Sequence, residues 1–428
     1  MKKLFVILLS TFLFTACFKQ NSETKEEILP EVSAGTVGIS QERLNRIDTL
    51  LTNAIKDHKI PGAVALIARH GKIVYHKAFG MANNASQEAL QLDHIFRIAS
   101  QSKAITSTAV MMLWEEGKFG LDDPISKYIP EFANPQLLES FNETDSSYTT
   151  KPADKQITIR NLLTHTSGIG YGQIDGDPTF KKIYAKAGIV DLFTTEDVKI
   201  ADNIKKLASL PLHHNPGEKF TYSEGLDVLG YFVEVVSGMP FDVFLKTRIF
   251  DPLGMNDTQF YLPESKYNRL VTVQTKEQDK WVKYPVTFYD TDYPKTGAKQ
   301  FFSGGAGLTS TAKDYATFLE MYLNQGELNG VRLLSRTTVE TILTNQIPYI
   351  SEEISAVHGL AFGLVDAKKH DLGGNSSEGT FEWGGYFNTQ YFADPKEDLI
   401  GILLKQTQKV NDDTGGKFRL LVNAAIAD

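Results

Sequence analysis

The sequence predicts an α/β (α+β) fold: one antiparallel sheet drawn from both chain termini and flanked by helices, with a mostly helical second lobe. Three observations predict it. β-Rich runs at residues 63–68 and 73–76 lie near the start of the folded chain, and others around 381–392 and 399–404 lie near its end. Between them, from about 121 to 311, helical patterning with Pro and Gly punctuation predominates. The 428 residues, 42% of them hydrophobic, are enough for a sizeable core, and no internal repeat divides them.

The N-terminus reads as a targeting segment. Lys2 and Lys3 precede an apolar run over residues 4–14 that is too short to span a bilayer comfortably, so 1–16 is expected to be a cleaved signal peptide. The following Phe14-Thr15-Ala16-Cys17 resembles a bacterial lipobox, with Phe14 in place of the usual Leu, and implies that Cys17 is lipidated and becomes the new N-terminus. Cys17 is the only cysteine, so the chain has no internal disulfide and no thiol left for catalysis or metal binding. Residues 17–37 are polar and poor in large apolar side chains, which predicts a flexible tether before a folded domain over 38–428. The expectation is an exported lipoprotein, anchored to a membrane and facing the periplasm or cell exterior.

Within the domain, Ser40 precedes Leu44, Ile47, Leu51 and Ile55, spaced for one face of a serine-capped helix that ends before Ile60-Pro61-Gly62. A hairpin follows, with Gly71 in its turn. A further helical run after Ser100 stops near Gly117, a glycine suited to a helix C-terminus. At the far end, the runs around 381–392 and 399–404 read as two strands joined by a turn at 394–398, with a final helix from about 417 to 427.

The chemistry concentrates at Ser100-Gln101-Ser102-Lys103. Residues three apart share a helix face, so Lys103 can bring its amine to the Ser100 hydroxyl, and a helix start offers free N–H groups to developing negative charge. A serine hydroxyl is a poor nucleophile until a base takes its proton, and a lysine kept neutral by its surroundings can be that base. Other chemistries find little support. His165, His213 and His214 lack metal-ligand spacing, and Gly168-Ile169-Gly170-Tyr171-Gly172 reads as a turn instead of a dinucleotide loop. No G-x-S-x-G elbow occurs, and a net charge of −8 without basic runs argues against nucleic acid.

Further segments follow in order: residues 157–168 (ITIRNLLTHTSG), 216–224 (PGEKFTYSE) and 304–311 (GGAGLTST) with Asp314-Tyr315. With Ser100-x-x-Lys103 they resemble the serine β-lactamase-like superfamily of class C β-lactamases, D-alanyl-D-alanine carboxypeptidases, D-aminopeptidases and esterases, over about 38–428. The resemblance implies Ser100 as nucleophile, with Lys103 and Tyr222 sharing its proton. It implies an oxyanion hole from the backbone N–H groups of Ser100 and Tyr386, hydrolysis of an acyl-enzyme by water, and no metal or cofactor. For the third motif, usually Lys-Thr-Gly or His-x-Gly, Lys295-Thr296-Gly297 matches by letter but lies in a turn-like context before the glycine-rich stretch, whereas Trp383-Gly384-Gly385 opens a β-rich run in the family's order.

Two departures bear on the substrate. Glu224 stands where the family usually has an Asn whose amide donates to an acylamino group, and the readings open to it are substrate contact, pairing with Lys103 or activation of the deacylating water. Trp383 replaces a cation that meets a substrate carboxylate. With Gly384 and Gly385 these form the expected substrate-binding set. The expected activity is an esterase or amidase acting on a small-molecule ester or amide, peptidoglycan-derived amides among them. The alternatives are a β-lactamase or D-alanyl-D-alanine carboxypeptidase, and a binding protein of the penicillin-binding type without turnover.

Overall fold

A computed structural model of the chain describes residues 27–350, 357–367 and 376–428. The signal peptide and Cys17 lie outside the described residues. Seven strands form the main sheet: β1 (Gly62–Arg69), β2 (Lys72–Asn83), β3 (Glu88–Ala89), β4 (Gly363–Leu364), β5 (Phe381–Gly385), β6 (Thr389–Asp394) and β7 (Leu399–Leu404). Their spatial order is β4-β5-β6-β7-β1-β2-β3, with every neighbouring pair antiparallel. The seam between β1 and β7 sets Val64 opposite Leu404 and Arg69 opposite Leu399, so the two ends of the chain make one sheet.

β1 is apolar at consecutive positions because both faces of the sheet are covered. Ala63, Ala65 and Ile67 pack with Leu399 and Leu403 against α1 (Gln41–Lys56) and α4 (Thr414–Ala424). Val64, Leu66 and Ala68 face the larger core with Ile400 and Ile402, under α2 (Ser102–Glu115) and α3 (Ala312–Leu323). α1 starts where expected: the Ser40 hydroxyl accepts the Arg43 N–H, and Leu44, Ile47 and Leu51 form the buried stripe. α2 differs, being buried all round from Ser102 to Leu113. Its hydroxyls are satisfied internally, Thr106 donating to the Gly304 carbonyl at 2.7 Å and Ser107 to that of Leu360 at 2.8 Å.

Four features differ from the sequence reading. The segment 29–37, expected to belong to the tether, is packed: Leu29, Ala34 and Val37 are buried. Val32 donates to the Ile73 carbonyl at 2.9 Å and Ile73 to that of Pro30 at 3.0 Å, adding this segment to the open edge of β2. Backbone pairing supplies what a polar composition hides. Second, the run around 381–392 is two strands, because the chain reverses at Tyr386-Phe387-Asn388 with Asn388 at φ +63°. Third, the final helix begins at Thr414, three residues before the expected 417. Fourth, the middle region carries two hairpins among its helices, Gln136–Phe141 with Tyr148–Pro152 and Gln274–Glu277 with Lys280–Lys283.

Candidate active site

The chain approaches Ser100 under tight control. Phe96 and Arg97 pair with Ser310 and Thr309, and Ile98 donates to the Leu308 carbonyl at 3.1 Å. The buried Arg97 guanidinium donates to the carbonyls of Thr291 at 2.5 Å and Val271 at 2.7 Å. Ala99 then adopts φ +43°, a left-handed conformation unfavourable to a residue with a Cβ, immediately before the serine. Ser100 itself lies in a single 3-10 turn, Ala99–Gln101, that leads into α2. The following Ser102 hydroxyl accepts the Leu308 N–H at 3.1 Å, so the glycine-rich segment at 303–308 backs the whole turn.

Lys103 is 1% exposed. Its Nζ lies 2.7 Å from the Gly305 carbonyl oxygen, 3.1 Å from the Tyr171 hydroxyl and 3.5 Å from Ser100 Oγ. The Tyr222 ring centroid is 4.6 Å from the same nitrogen. Ser100 and Lys103, from one turn of the chain, thus meet Tyr222 from another.

Tyr222 is held from beneath by His165, whose ring lies 4.7 Å from that of the tyrosine. The Ser223 N–H donates to His165 Nδ1 at 3.2 Å, which makes Nδ1 the acceptor and places the ring proton on Nε2. Burial, assisted by His358 and Lys103, lowers the His165 pKa well below its ordinary value, so the ring is neutral. His358 behaves likewise, pushed down to about 3 by burial and then by Lys103. His213 and His214 are occupied elsewhere, by Asp175 and by Asn215 with Thr221.

The opposite wall is β5. Trp383 projects toward Tyr222, with ring centroids 6.0 Å apart, and Gly384 is exposed beside it. At Gly385 a Cβ would lie 2.4 Å from the Ile98 carbonyl oxygen and 2.2 Å from Thr389 Oγ1, so only glycine lets β5 press against the turn that carries Ser100. Among the described residues, the N–H groups of Ser100 and of Tyr386, which follows Gly385, donate to no backbone carbonyl, leaving both available to an oxyanion. Lys295-Thr296-Gly297 sits apart from the main sheet, in the short helix Tyr293–Thr296 and its C-cap, with the Lys295 carbonyl accepting from the Tyr267 hydroxyl at 2.9 Å.

Glu224 departs from its expected place among the substrate contacts. Its side chain is 1% exposed and its carboxyl meets that of Asp191. The Glu224 N–H donates to the Gly170 carbonyl at 3.1 Å, which draws the residue under the 170–175 loop. Burial, and then the adjacent Asp191, raises its pKa well above the usual carboxylate range. Tyr171, Asp191 and Asp227 were not singled out in the sequence. Asp227 receives the Gly305 N–H at 3.3 Å, and burial raises its pKa. The nearest signal to Tyr171 was the glycine-rich stretch containing it: a Cβ at Gly172 would lie 2.9 Å from both Asp191 carboxylate oxygens.

A buried lysine beside a serine on a strained turn, a tyrosine over both and a glycine-bearing strand alongside define a serine hydrolase with the β-lactamase and transpeptidase type of fold. The sequence matches the Beta-lactamase family over residues 47–426, and the chain belongs to that family. It is similar to Protein Rv1367c of Mycobacterium tuberculosis (strain ATCC 25618 / H37Rv), 33% identical over 358 residues that cover 81% of this chain and 86% of that protein. It is also similar to Esterase EstB of Burkholderia gladioli, 31% identical over 379 residues, 85% of this chain and 90% of that one. Among solved structures, EstCE1, described as a hydrolase with promiscuous acyltransferase activity, superposes with a TM-score of 0.75 at 26% identity, covering 91% of this chain and 99% of its own.

Proposed function

We propose that the protein is an esterase that hydrolyses uncharged carboxylic esters through an acyl-enzyme on Ser100. The observation that carries this reading is Trp383, an aromatic side chain facing Tyr222 at the position where a substrate-carboxylate cation would stand. The other flank of the cleft is apolar as well: Tyr222 and Tyr386 border a cluster that includes Phe193, Tyr289, Tyr293 and Phe387. Such walls favour esters without a formal charge. The similarity to Esterase EstB and EstCE1 supports the same assignment.

The geometry suits two half-reactions. With two amine hydrogens directed at Gly305 and Tyr171, a neutral Lys103 turns its lone pair toward Ser100 and takes the hydroxyl proton as Oγ attacks the ester carbonyl. The tetrahedral oxyanion is held by the N–H groups of Ser100 and Tyr386. On collapse the C–O bond of the ester breaks, and the leaving alcohol recovers a proton through Lys103 and Tyr222. A water then gives its proton to the same base, attacks the acyl carbon and frees the acid, returning the proton to Ser100.

The test is steady-state hydrolysis of a short-chain p-nitrophenyl ester, a chromogenic cephalosporin and a D-alanyl-D-alanine peptide by the domain and by Ser100→Ala. Ester turnover that disappears in Ser100→Ala, with little cleavage of the other two, is the expected result. Preference for the cephalosporin or the peptide would replace this reading with a β-lactamase or carboxypeptidase, and no turnover on any of them with a binding protein.

The N-terminal reading is part of the proposal: a lipid on Cys17 would hold the enzyme at a membrane surface. Cys17→Ser should move the protein from the membrane to the soluble fraction, and persistence in the membrane would refute the anchor.

A further inference from the structure

Resting on the serine-hydrolase reading above, we propose that Glu224 is a positioning residue: its carboxyl donates a hydrogen bond to Asp191 and so holds the 170–175 loop with Tyr171 against Lys103. Glu224 Oε1 is buried and has no donor within reach, in a side chain that is 1% exposed. A second carboxyl, Asp191, meets it there. Two ionised carboxylates in such a place would repel and leave lone pairs unanswered, whereas one shared proton makes the contact a hydrogen bond.

The roles within the pair follow from the surrounding donors. Asp191 already accepts the backbone N–H of Gly172 at 3.0 Å and that of Gln173, so it is the acceptor and Glu224 the donor. Those two N–H groups belong to the loop that carries Tyr171, and the Tyr171 N–H is fixed in turn on Asp175 at 2.8 Å. Glu224 therefore grips the loop twice, by its own N–H on the Gly170 carbonyl and through Asp191 at Gly172. At the loop's tip the Tyr171 hydroxyl lies 3.1 Å from Lys103 Nζ. Proton, acid pair, loop, tyrosine and lysine form one continuous chain of contacts ending at the catalytic amine.

Other groups facing the pair are Asp227, Lys103, Tyr171 and Tyr184, the last accepting the Gly170 N–H at 3.3 Å. Of these, Asp227 adds negative charge and disfavours ionisation of Glu224, whereas Lys103, when protonated, favours it. When rising pH removes the Glu224 proton, the pair repels, the loop loosens and Lys103 loses a partner. Ser100 reactivity should accordingly fall on the alkaline side through this group. Glutamine at 224 can donate an N–H to Asp191 and cannot ionise.

The experiment reads Ser100 directly. The second-order rate of phosphonylation by an alkyl fluorophosphonate, followed by intact mass from pH 5 to 10 on the whole mature chain, depends on Lys103 activation and not on which acyl group the enzyme accepts. Glu224→Gln is expected to keep the rate within about threefold of the parent near neutrality while losing the alkaline decline, and Glu224→Ala and Tyr171→Phe to lose about tenfold or more. In the infrared difference between the parent and Glu224→Gln at neutral pH, one carboxylic-acid C=O component should be present in the parent and lost in the variant. An unchanged alkaline decline in Glu224→Gln, or no carboxylic-acid component lost, overturns the proposal. Esterase failure is separable: this phosphonylation pattern without ester turnover would leave Glu224 in its role and discard the substrate assignment.

Discussion

Lys103 Nζ lies closer to the carbonyl oxygen of Gly305, at 2.7 Å, than to the hydroxyl it would activate, 3.5 Å away on Ser100. The 303–308 segment that supplies this carbonyl also bonds Ser102 through Leu308, so one piece of backbone fixes both Lys103 and the turn bearing Ser100. The amine is held as a fixture of the site and not as a mobile surface lysine.

Lys103→Met should keep the fold, because methionine is unbranched and of similar length, and should lower kcat for an ester by about 10²–10⁴-fold. Thermal unfolding beside the kinetics checks both halves. A kcat within a factor of a few of the parent would remove Lys103 from the chemistry.

Gly385→Ala places a Cβ 2.4 Å from the Ile98 carbonyl oxygen and 2.2 Å from Thr389 Oγ1. β5 or the nucleophile turn must then move, costing about 1–3 kcal/mol of stability together with most of the activity. Gly384→Ala, on the exposed neighbour whose Cβ would meet nothing nearer than 3.4 Å, is the control and should unfold at nearly the parental temperature.

Trp383 packs on Tyr222 at 6.0 Å and His358 at 5.3 Å between ring centroids. Its loss in Trp383→Ala should raise KM for an uncharged aromatic ester by about tenfold, with a smaller change in kcat. An unchanged KM would mean that substrates do not use this wall.

Glu320 offers a stability test remote from the cleft. Buried at 2% exposure and then repelled by Asp398, its carboxyl is pushed from the ordinary 4.5 up to about 7. A folded value raised above the unfolded one means that, as pH rises from about 4.5 to about 7, the unfolded chain gives up its proton first and stability is lost. The parent should therefore lose up to roughly 3 kcal/mol relative to Glu320→Gln between pH 4.5 and 8. Parallel pH profiles of unfolding free energy in the two proteins would contradict this.

What the sequence revealed and what it hid divide on physical lines. Ser100 and Lys103 are three residues apart, so helical spacing alone brings them together, and β1 and β7 show themselves as short apolar runs next to turn residues. Tyr171 and Asp191 reach Lys103 and Glu224 through loops, where no period exists to read. The reversal between β5 and β6 went unseen because its left-handed residue is Asn388 and not a glycine. The packing of 29–37 was hidden because the bonds to Ile73 are made by backbone atoms, which composition does not report. The expectation for Glu224 rested on a motif position, and burial beside Asp191 gave it other company.

The central claim is that Ser100 carries the acyl group between the two half-reactions, and trapping that species tests it most directly. Rapid acid quench of the enzyme during turnover of a p-nitrophenyl ester, followed by intact and peptide mass analysis, should show one added acyl group on the peptide containing Ser100, formed at the rate of the nitrophenolate burst and absent in Ser100→Ala. Full ester turnover in Ser100→Ala, or an acyl group on any other residue, would contradict it.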